Sequence, residues 1–249
     1  MQGQQQQAYD RGTTIFSPDG RLYQVEYARE AVKRGTTSVG VRTTEGVVLA
    51  AKKRSRSPMM EPSSVEKLHK VDDHIGIASA GHVADARKLI DFARQQTQVE
   101  RLRYGEAIGV ETLTKEITDH IQQYTQVGGA RPFGVAMIVA GVEDGEPRLF
   151  ETDPSGTPYE WKALSVGENR SDIREYLEAE FDDELTLDAG IDLAFGALAE
   201  ADDDDGFEPA DIALSTIPTA DPTYTAHDTE TIGDYLAEFD YLAAETDEE

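Results

Sequence analysis

The sequence predicts a layered α+β fold, and three observations carry that prediction. Short apolar runs of strand character, bounded by turn residues, fill residues 36–80 and return over residues 135–166. Between the two groups lie two long stretches in which apolar residues recur at helical spacing. Helical periodicity then reappears after residue 170 and is interrupted by one more apolar strand. Strands, two long helices, strands and then helices describe two sheets between helical layers, because every sheet face and helix stripe has to be buried against another element.

Taken in order, residues 1–8 (MQGQQQQA) offer almost nothing to bury and no charge, so on their own they are expected to lack order. Ser17-Pro18-Asp19-Gly20 is a turn, since proline presets φ and glycine accepts φ > 0. A helix should follow over residues 21–34. Its apolar residues form two stripes, Leu22, Val25, Ala28 and Val32 on one and Tyr23, Tyr27 and Ala31 on the other. An ordinary surface helix has a single apolar face. The second stripe suits either a core helix with snorkelling tyrosines or a helix that also packs against a neighbouring subunit.

Residues 36–42 and 47–51 read as strands joined by the turn Thr43-Thr44-Glu45-Gly46, followed by a basic segment over 52–56 and a loop through Pro58 and Pro62. A second hairpin joins 65–71 to 75–80 through Asp72-Asp73-His74. Helices are expected over 83–103, with Val83, Ala86, Ile90 and Ala93 on one face, and over 108–124, with Leu113, Ile117, Ile121 and Tyr124 in register. Residues 135–141 are a nearly unbroken apolar strand that turns through residues 143–147 into 148–151, and 161–166 add one more. Helices over 171–181 and 187–199 and a strand over 213–217 follow. A closing helix over 232–242 has Ile232, Tyr235, Leu236, Phe239 and Leu242 on its buried side. Residues 245–249 are expected to be disordered. No internal repeat or linker divides the chain.

The 249 residues suffice for one large domain with a sizeable core. The absence of cysteine excludes disulfides and thiol chemistry and fits a cytoplasmic protein. The glutamine-rich start is unlike a signal peptide, and the longest apolar run, residues 133–142, is too short to span a bilayer. The net charge of −26 is unevenly placed: all 23 basic residues and 24 of the 49 acidic ones lie at or before Arg174, and the other 25 acids follow with no Lys or Arg. Nucleic-acid or anionic-membrane binding is disfavoured, because both need a basic footprint. Two readings suit the acidic third, a surface adapted to high salt or a segment that docks a basic partner. The first is favoured: at 1 M salt the Debye length is about 3 Å, so dense carboxylates repel one another little. The run 202–205, four aspartates, reads as a solvated loop, since it lacks the interspersed ligands of a calcium site.

The ordered series Tyr9-Asp10-Arg11, FSPDGRLYQVEYA (16–28), GTTSVG (35–40), SVEKLHK (64–70), GHVADAR (81–87), YTQVGGARPFG (124–134) and RLFETDP (148–154) resembles proteasome alpha subunits of the archaeal kind, from the N-terminus to about residue 180. The resemblance implies the four-layer αββα sandwich of the N-terminal-nucleophile hydrolases, the proteasome subunit fold. It also implies a non-catalytic role as gate, docking platform and template in the outer seven-membered ring of the 20S core particle. It divides the chain into a gate arm (1–12), one alpha-type domain (13–240) and an acidic tail (241–249). Implied partners are other alpha subunits, alike or paralogous, beta subunits, a hexameric AAA ATPase activator (a proteasome-activating nucleotidase) and unfolded protein in transit, with no nucleic acid or membrane.

By the same resemblance Lys67 binds the activator's C-terminal carboxylate, with Gly20, Arg21 and Gly81 lining that pocket. An ammonium in a partly desolvated groove suits a chain-end carboxylate. Tyr9, Asp10, Pro18 and Tyr27 match the cluster that holds the arm open. Tyr124, Thr125, Gln126, Val127, Gly128 and Gly129 match the inner constriction loop, although Val127 stands where a close archaeal relative has tyrosine.

Two alternatives stay open. One is a stand-alone ring with no protease attached. The other is a catalytic beta-type subunit processed after Gly35, with Thr36 as an N-terminal nucleophile activated by its own amine. The resemblance weighs against the latter, because Lys52 falls where catalytic relatives carry an acid and leaves Lys67 without that charge partner. No metal-ligand spacing joins the five histidines, no phosphate-binding glycine loop is present, and no cofactor is implied.

Overall fold

The computed structural model describes residues 16–243 apart from 56, 58, 128, 129, 201 and 203–205. Helix α1 (Tyr23–Lys33) precedes the hairpin β1 (Ser38–Arg42) and β2 (Gly46–Lys52), and a second hairpin pairs β3 (Leu68–Asp72) with β4 (Ile75–Gly81). The long helices α2 (Val83–Tyr104) and α3 (Val110–Gln126) follow, then strands β5 (Val135–Glu143), β6 (Glu146–Thr152), β7 (Pro158–Glu160) and β8 (Ala163–Val166). Helices α4 (Arg170–Glu180) and α5 (Leu187–Glu200), strands β9 (Ile212–Pro218) and β10 (Thr225–Ala226), and helix α6 (Thr229–Glu238) complete the order.

Two five-stranded antiparallel sheets result, β10-β9-β2-β1-β8 and β3-β4-β5-β6-β7. Successive strand residues point to opposite faces, and here both faces are apolar. Val39, Val41, Val48 and Ala50 of the first sheet pack outward on Ile173 and Leu177 of α4 and Ile191 and Phe195 of α5. Ile75, Ile77, Val135, Met137 and Val139 of the second pack on Leu89 and Ile90 of α2 and Leu113, Ile117 and Ile121 of α3. The alternate residues Val47, Leu49, Ala78, Ala80, Ala136, Ile138 and Ala140 meet between the sheets. Three apolar layers between four structural ones explain why 135–141 reads as an unbroken apolar run. A Cβ on Gly40 would lie 2.8 Å from Ile138 Cγ2 and 2.9 Å from Leu149 Cδ1. The sheets approach closely there because that residue has no side chain.

Helix α1 lies at one end of this sandwich. Its buried residues are Val25, Ala28 and Val32, with Val32 reaching the layer between the sheets. The other stripe is only partly covered: Tyr27 is 49% exposed, while Tyr23 and Ala31 are half-buried.

The sequence expectations need correcting at several points. The closing helix starts three residues early, because the Asp228 carboxylate accepts the Thr231 N–H as an N-cap, and it stops at Glu238. Asp240 then takes φ 64° and turns the chain, so Leu242 is 44% exposed and forms an isolated bridge with Phe207 in place of a helical core position. Val83, at the first turn of α2, is 63% exposed, and Leu89 fills the buried face instead. The strand expected over 65–71 begins only at Leu68, and residues 62–64 form a short 3-10 turn. Trp161 and Lys162 link β7 to β8 and are not part of the strand expected over 161–166. The arm (1–8) and the tail (245–249) lie outside the described residues.

Candidate functional site

Of the residues singled out by the sequence, Lys67 and Gly81 lie near the junction of α1 and β1. Gly35 follows α1 and donates its N–H to Val32 O at 2.9 Å. A Cβ on Gly35 would run into the backbone nitrogen of Gly81, which itself has φ 120° and lies against the carbonyl of Gly134. Glycine at 35 therefore lets the start of the first sheet rest on the end of β4.

Beside this junction a groove of about 370 Å³ is lined by Ser64, Glu66, Lys67, His69, Gly81 and Arg87, among others. Lys67 directly precedes β3, and its carbonyl accepts the Ser79 N–H at 3.3 Å. The lysine Nζ donates to the Thr36 carbonyl at 2.9 Å. Burial lowers the amine's pKa to about 8, against the opposing pull of the Glu168 carboxylate. Glu168 is itself fixed, with its N–H donating to Gly35 O at 2.9 Å and its Oε1 accepting from Arg54 at 2.8 Å. Burial also lowers the pKa of His69 in the groove wall, opposed by Glu66.

The Gly35–Thr36 junction lies at the same end, with the Gly35 N–H donating to Val32 O and its C=O accepting the Glu168 N–H. Lys52, at the end of β2, pairs with the carboxylate of Asp202, 150 residues away.

Of the residues assigned to the activator pocket, Lys67 and Gly81 share the groove, and Gly20 and Arg21 are not among its lining. They lie in the turn before α1, closed by Ser17 N–H to Arg21 O at 2.9 Å, Gly20 N–H to Ser17 O at 2.8 Å and Arg21 N–H to Ser17 Oγ at 3.1 Å. Pro18 is exposed in that turn and Tyr27 is exposed on α1, while Tyr9 and Asp10 lie outside the described residues. Tyr124, Thr125 and Gln126 form the last turn of α3 and so are helical, not loop. Tyr124 packs edge-on against Phe133, ring centres 4.7 Å apart, and Thr125 is buried with its hydroxyl on Gln122 O. Val127 leaves the helix exposed, and Gly128 and Gly129 are outside the described residues. A cleft of about 360 Å³ brings Thr125 and Gln126 together with Phe16, Leu22 and Ser155, so the turn before α1 and the end of α3 share one surface.

Sequence reasoning missed Asp85. Its carboxylate is buried at the start of α2, accepts both guanidinium nitrogens of Arg131 at 2.6 and 2.7 Å, and accepts the Gly134 N–H at 2.9 Å. Burial alone would raise its pKa, but the bonds from Arg131 and Gly134 outweigh it and hold the carboxyl below its ordinary range. The two partners sit in the segments GHVADAR and YTQVGGARPFG, and their pairing across 46 residues has no local signal in the sequence.

Two layered antiparallel sheets between helices, entered by a helix whose preceding turn and following glycine are both pinned, are the architecture that the sequence resemblance implied. Residues 32–217 match the family described as proteasome subunit, and residues 9–31 match the N-terminal signature of A-type proteasome subunits. The chain is 69% identical to proteasome subunit alpha 1 of Haloferax volcanii over all of this chain and 99% of that one. It is 75% identical to proteasome subunit alpha of Halobacterium salinarum over 82% of this chain and 81% of that one, and 55% identical to proteasome subunit alpha 2 of Haloferax volcanii over all of this chain and 99% of that one. The chain belongs to the proteasome subunit family, as an alpha subunit of the halophilic archaeal kind. Among the described residues no helix is long and apolar enough to cross a membrane.

Proposed function

We propose that this alpha subunit has no catalytic site of its own and serves the 20S core as gate, docking platform and assembly template, in seven-membered outer rings in the cytoplasm. The observation that carries the reading is the Lys67 amine, held on the Thr36 carbonyl in the wall of a groove. A lysine so placed offers a partly desolvated cation to a carboxylate arriving from outside. The ligand of this reading is the C-terminal carboxylate of a hexameric AAA ATPase activator. Gly20 and Arg21 would reach it from the turn before α1 of a neighbouring copy, and the outer stripe of α1, with the exposed Tyr27, suits ring and ring-to-ring contact. Beta subunits then supply the proteolysis, Tyr9, Asp10, Pro18 and Tyr27 hold the arm in its open position, and unfolded protein passes the constriction at residues 124–129.

The test is to purify a tagged chain from a halophilic host in molar salt, size the particle and assay peptide hydrolysis by the particle and by the isolated chain. A large particle that contains a second, threonine-protease subunit and alone hydrolyses peptide is the expected result. A ring without partner or activity would indicate a scaffold, and activity of the isolated chain with an N-terminus at Thr36 would make it the protease.

A further inference from the structure

The segment Gly35-Thr36-Thr37 fixes a second charged residue besides Lys67. The turn after β8 passes against it: a Cβ on Gly167, whose φ is 109°, would lie 2.8 Å from the carbonyl oxygens of both Gly35 and Thr36. Glu168 comes next, and its backbone is bonded at both ends of the segment. Its N–H donates to Gly35 O at 2.9 Å, and its own carbonyl accepts the Thr37 hydroxyl at 3.0 Å. Between those two bonds, Thr36 O accepts the Lys67 amine at 2.9 Å. An acid and a base distant in sequence are therefore held to the same short stretch of backbone.

The other charges around Lys67 do little for it. Glu66 is 77% exposed at its side chain and lies 3.9 Å from His69 Nδ1. Burial favours the neutral form of His69. Lys52 is paired with Asp202. On α2, Arg87 lines the groove as a further cation, and Asp91 and Arg94 pair with each other at 3.8 Å. The carboxylate that draws on the amine is that of Glu168. Its side chain is 25% exposed, and in molar salt a partly buried pair keeps an attraction that exposed charges lose to screening. Arg54, 55% exposed, donates to Glu168 Oε1 at 2.8 Å and offsets part of that negative charge.

We propose that Glu168 is a positioning residue for carboxylate docking: it keeps the Lys67 amine in its charged form on the Thr36 carbonyl, and Arg54 sets how much of that attraction the amine feels. The inference rests on the docking role proposed above for Lys67. A hydrogen bond from a charged donor is about twice as strong as one between neutral groups, so an amine that has lost its proton holds a chain-end carboxylate poorly. Burial disfavours the charged amine, and a fixed acid nearby restores it. Glu168→Gln keeps the side-chain shape and removes the charge, so Lys67 gives up its proton at lower pH. Arg54→Gln leaves Glu168 uncompensated, so Lys67 keeps its proton to higher pH. Two substitutions in one ion pair thus act in opposite directions, which loss of a merely structural contact would not produce.

The test uses the assembled particle in molar salt and a rhodamine-labelled synthetic peptide of the C-terminal residues of the host's ATPase activator, with Lys67→Ala and the peptide's C-terminal amide as controls. Fluorescence anisotropy gives the affinity across neutral and alkaline pH. The parent's affinity is expected to break downward near pH 8, where the free amine titrates. In Glu168→Gln the break is expected to move down by about one pH unit, giving affinity up to about tenfold weaker at pH 9 and equal to the parent's or tighter at pH 6.5. In Arg54→Gln it is expected to move up. Breaks that stay in place, breaks that move the same way, or Glu168→Gln weakened equally at every pH overturn the proposal. Parent-like binding by Lys67→Ala removes the docking role and this inference with it, whereas loss of binding in Lys67→Ala beside unmoved breaks removes the inference alone. Because Arg54 is more than half exposed, its variant decides the matter even if Glu168→Gln fails to assemble.

Discussion

The Nζ of Lys67 lies 2.9 Å from the carbonyl oxygen of Thr36, and that bond joins the approach to β3 to the segment between α1 and β1. It ties the wall of the groove to the junction where Gly35 rests on Gly81. Under the proposed function the amine serves an incoming carboxylate, so Lys67→Ala is expected to abolish activator-stimulated peptide hydrolysis while the particle keeps its size. Lys67→Arg is expected not to rescue it, since the guanidinium is larger and flatter than the buried amine it replaces. Stimulation by the activator, measured beside unstimulated hydrolysis in the same particles, checks both, and undiminished stimulation of Lys67→Ala removes the docking role.

The same lysine sets a pH window. Its pKa in the folded chain is about 8, below the unfolded value near 10.5, so between those values the unfolded chain holds the proton that the folded chain has released. Stability then rises with pH through that window, and the penalty is fully present below pH 8. The span from 10.5 to about 8 corresponds to roughly 3 kcal/mol at about 1.4 kcal/mol per pH unit. Denaturant unfolding of the protein and of Lys67→Met at pH 7.5, 9 and 10.5 is expected to show the parent gaining on the variant as pH rises. A difference that is flat with pH would place the amine in water.

Asp85 offers a third test. Its buried carboxylate satisfies Arg131 and the Gly134 N–H together, fastening the start of α2 to the segment that follows α3. Removing it leaves a buried N–H without an acceptor, and Arg131, whose side chain is largely exposed, can still turn to solvent. Asp85→Ala is therefore expected to cost about 2–3 kcal/mol, below the full penalty for breaking a buried pair. Because the folded pKa is depressed, this contribution is present above the unfolded carboxyl value and is lost as pH falls through the folded one. Chemical denaturation at pH 7 and at pH 3 in molar salt is expected to show a gap between parent and variant that narrows at the lower pH.

Most of the layering was legible because each core strand alternates between two apolar faces and each long helix carries a clear stripe. What was not legible lacked a period. Strands β7 and β10 have three and two residues, too few to show alternation, and are held by pairing with β6 and β9. Asp240 gave no warning that its φ would turn positive and expose Leu242. The contacts that organise the groove end join residues far apart in sequence, Lys52 with Asp202 and Lys67 with Thr36, and no local pattern encodes them. The doubling of the α1 stripe, by contrast, was readable from the spacing of its apolar residues, and the structure leaves Tyr27 on its second side exposed.

The acidic third gives the last test. From Glu175 onward 25 carboxylates have no Lys or Arg in their own stretch of sequence. Among the described residues, only a few meet a cation from earlier in the chain, as Asp183 meets Lys162 and Asp202 meets Lys52. The remainder depend on dissolved counterions. In dilute salt the screening length lengthens to about 30 Å at 0.01 M, and each carboxylate then feels many others across the helical layer of α4, α5 and α6. That repulsion acts on the folded state more than on an expanded chain, where the charges are farther apart. The thermal midpoint is therefore expected to fall steeply as sodium chloride is lowered from 2 M to 0.1 M. Replacing exposed acids of α4 such as Glu175 and Glu180 with glutamine is expected to recover part of the loss at 0.1 M and to change little at 2 M. A midpoint equal in dilute and molar salt would mean that the carboxylates are neutralised by contacts within the fold, and that the acidic segment is better read as a surface for a basic partner.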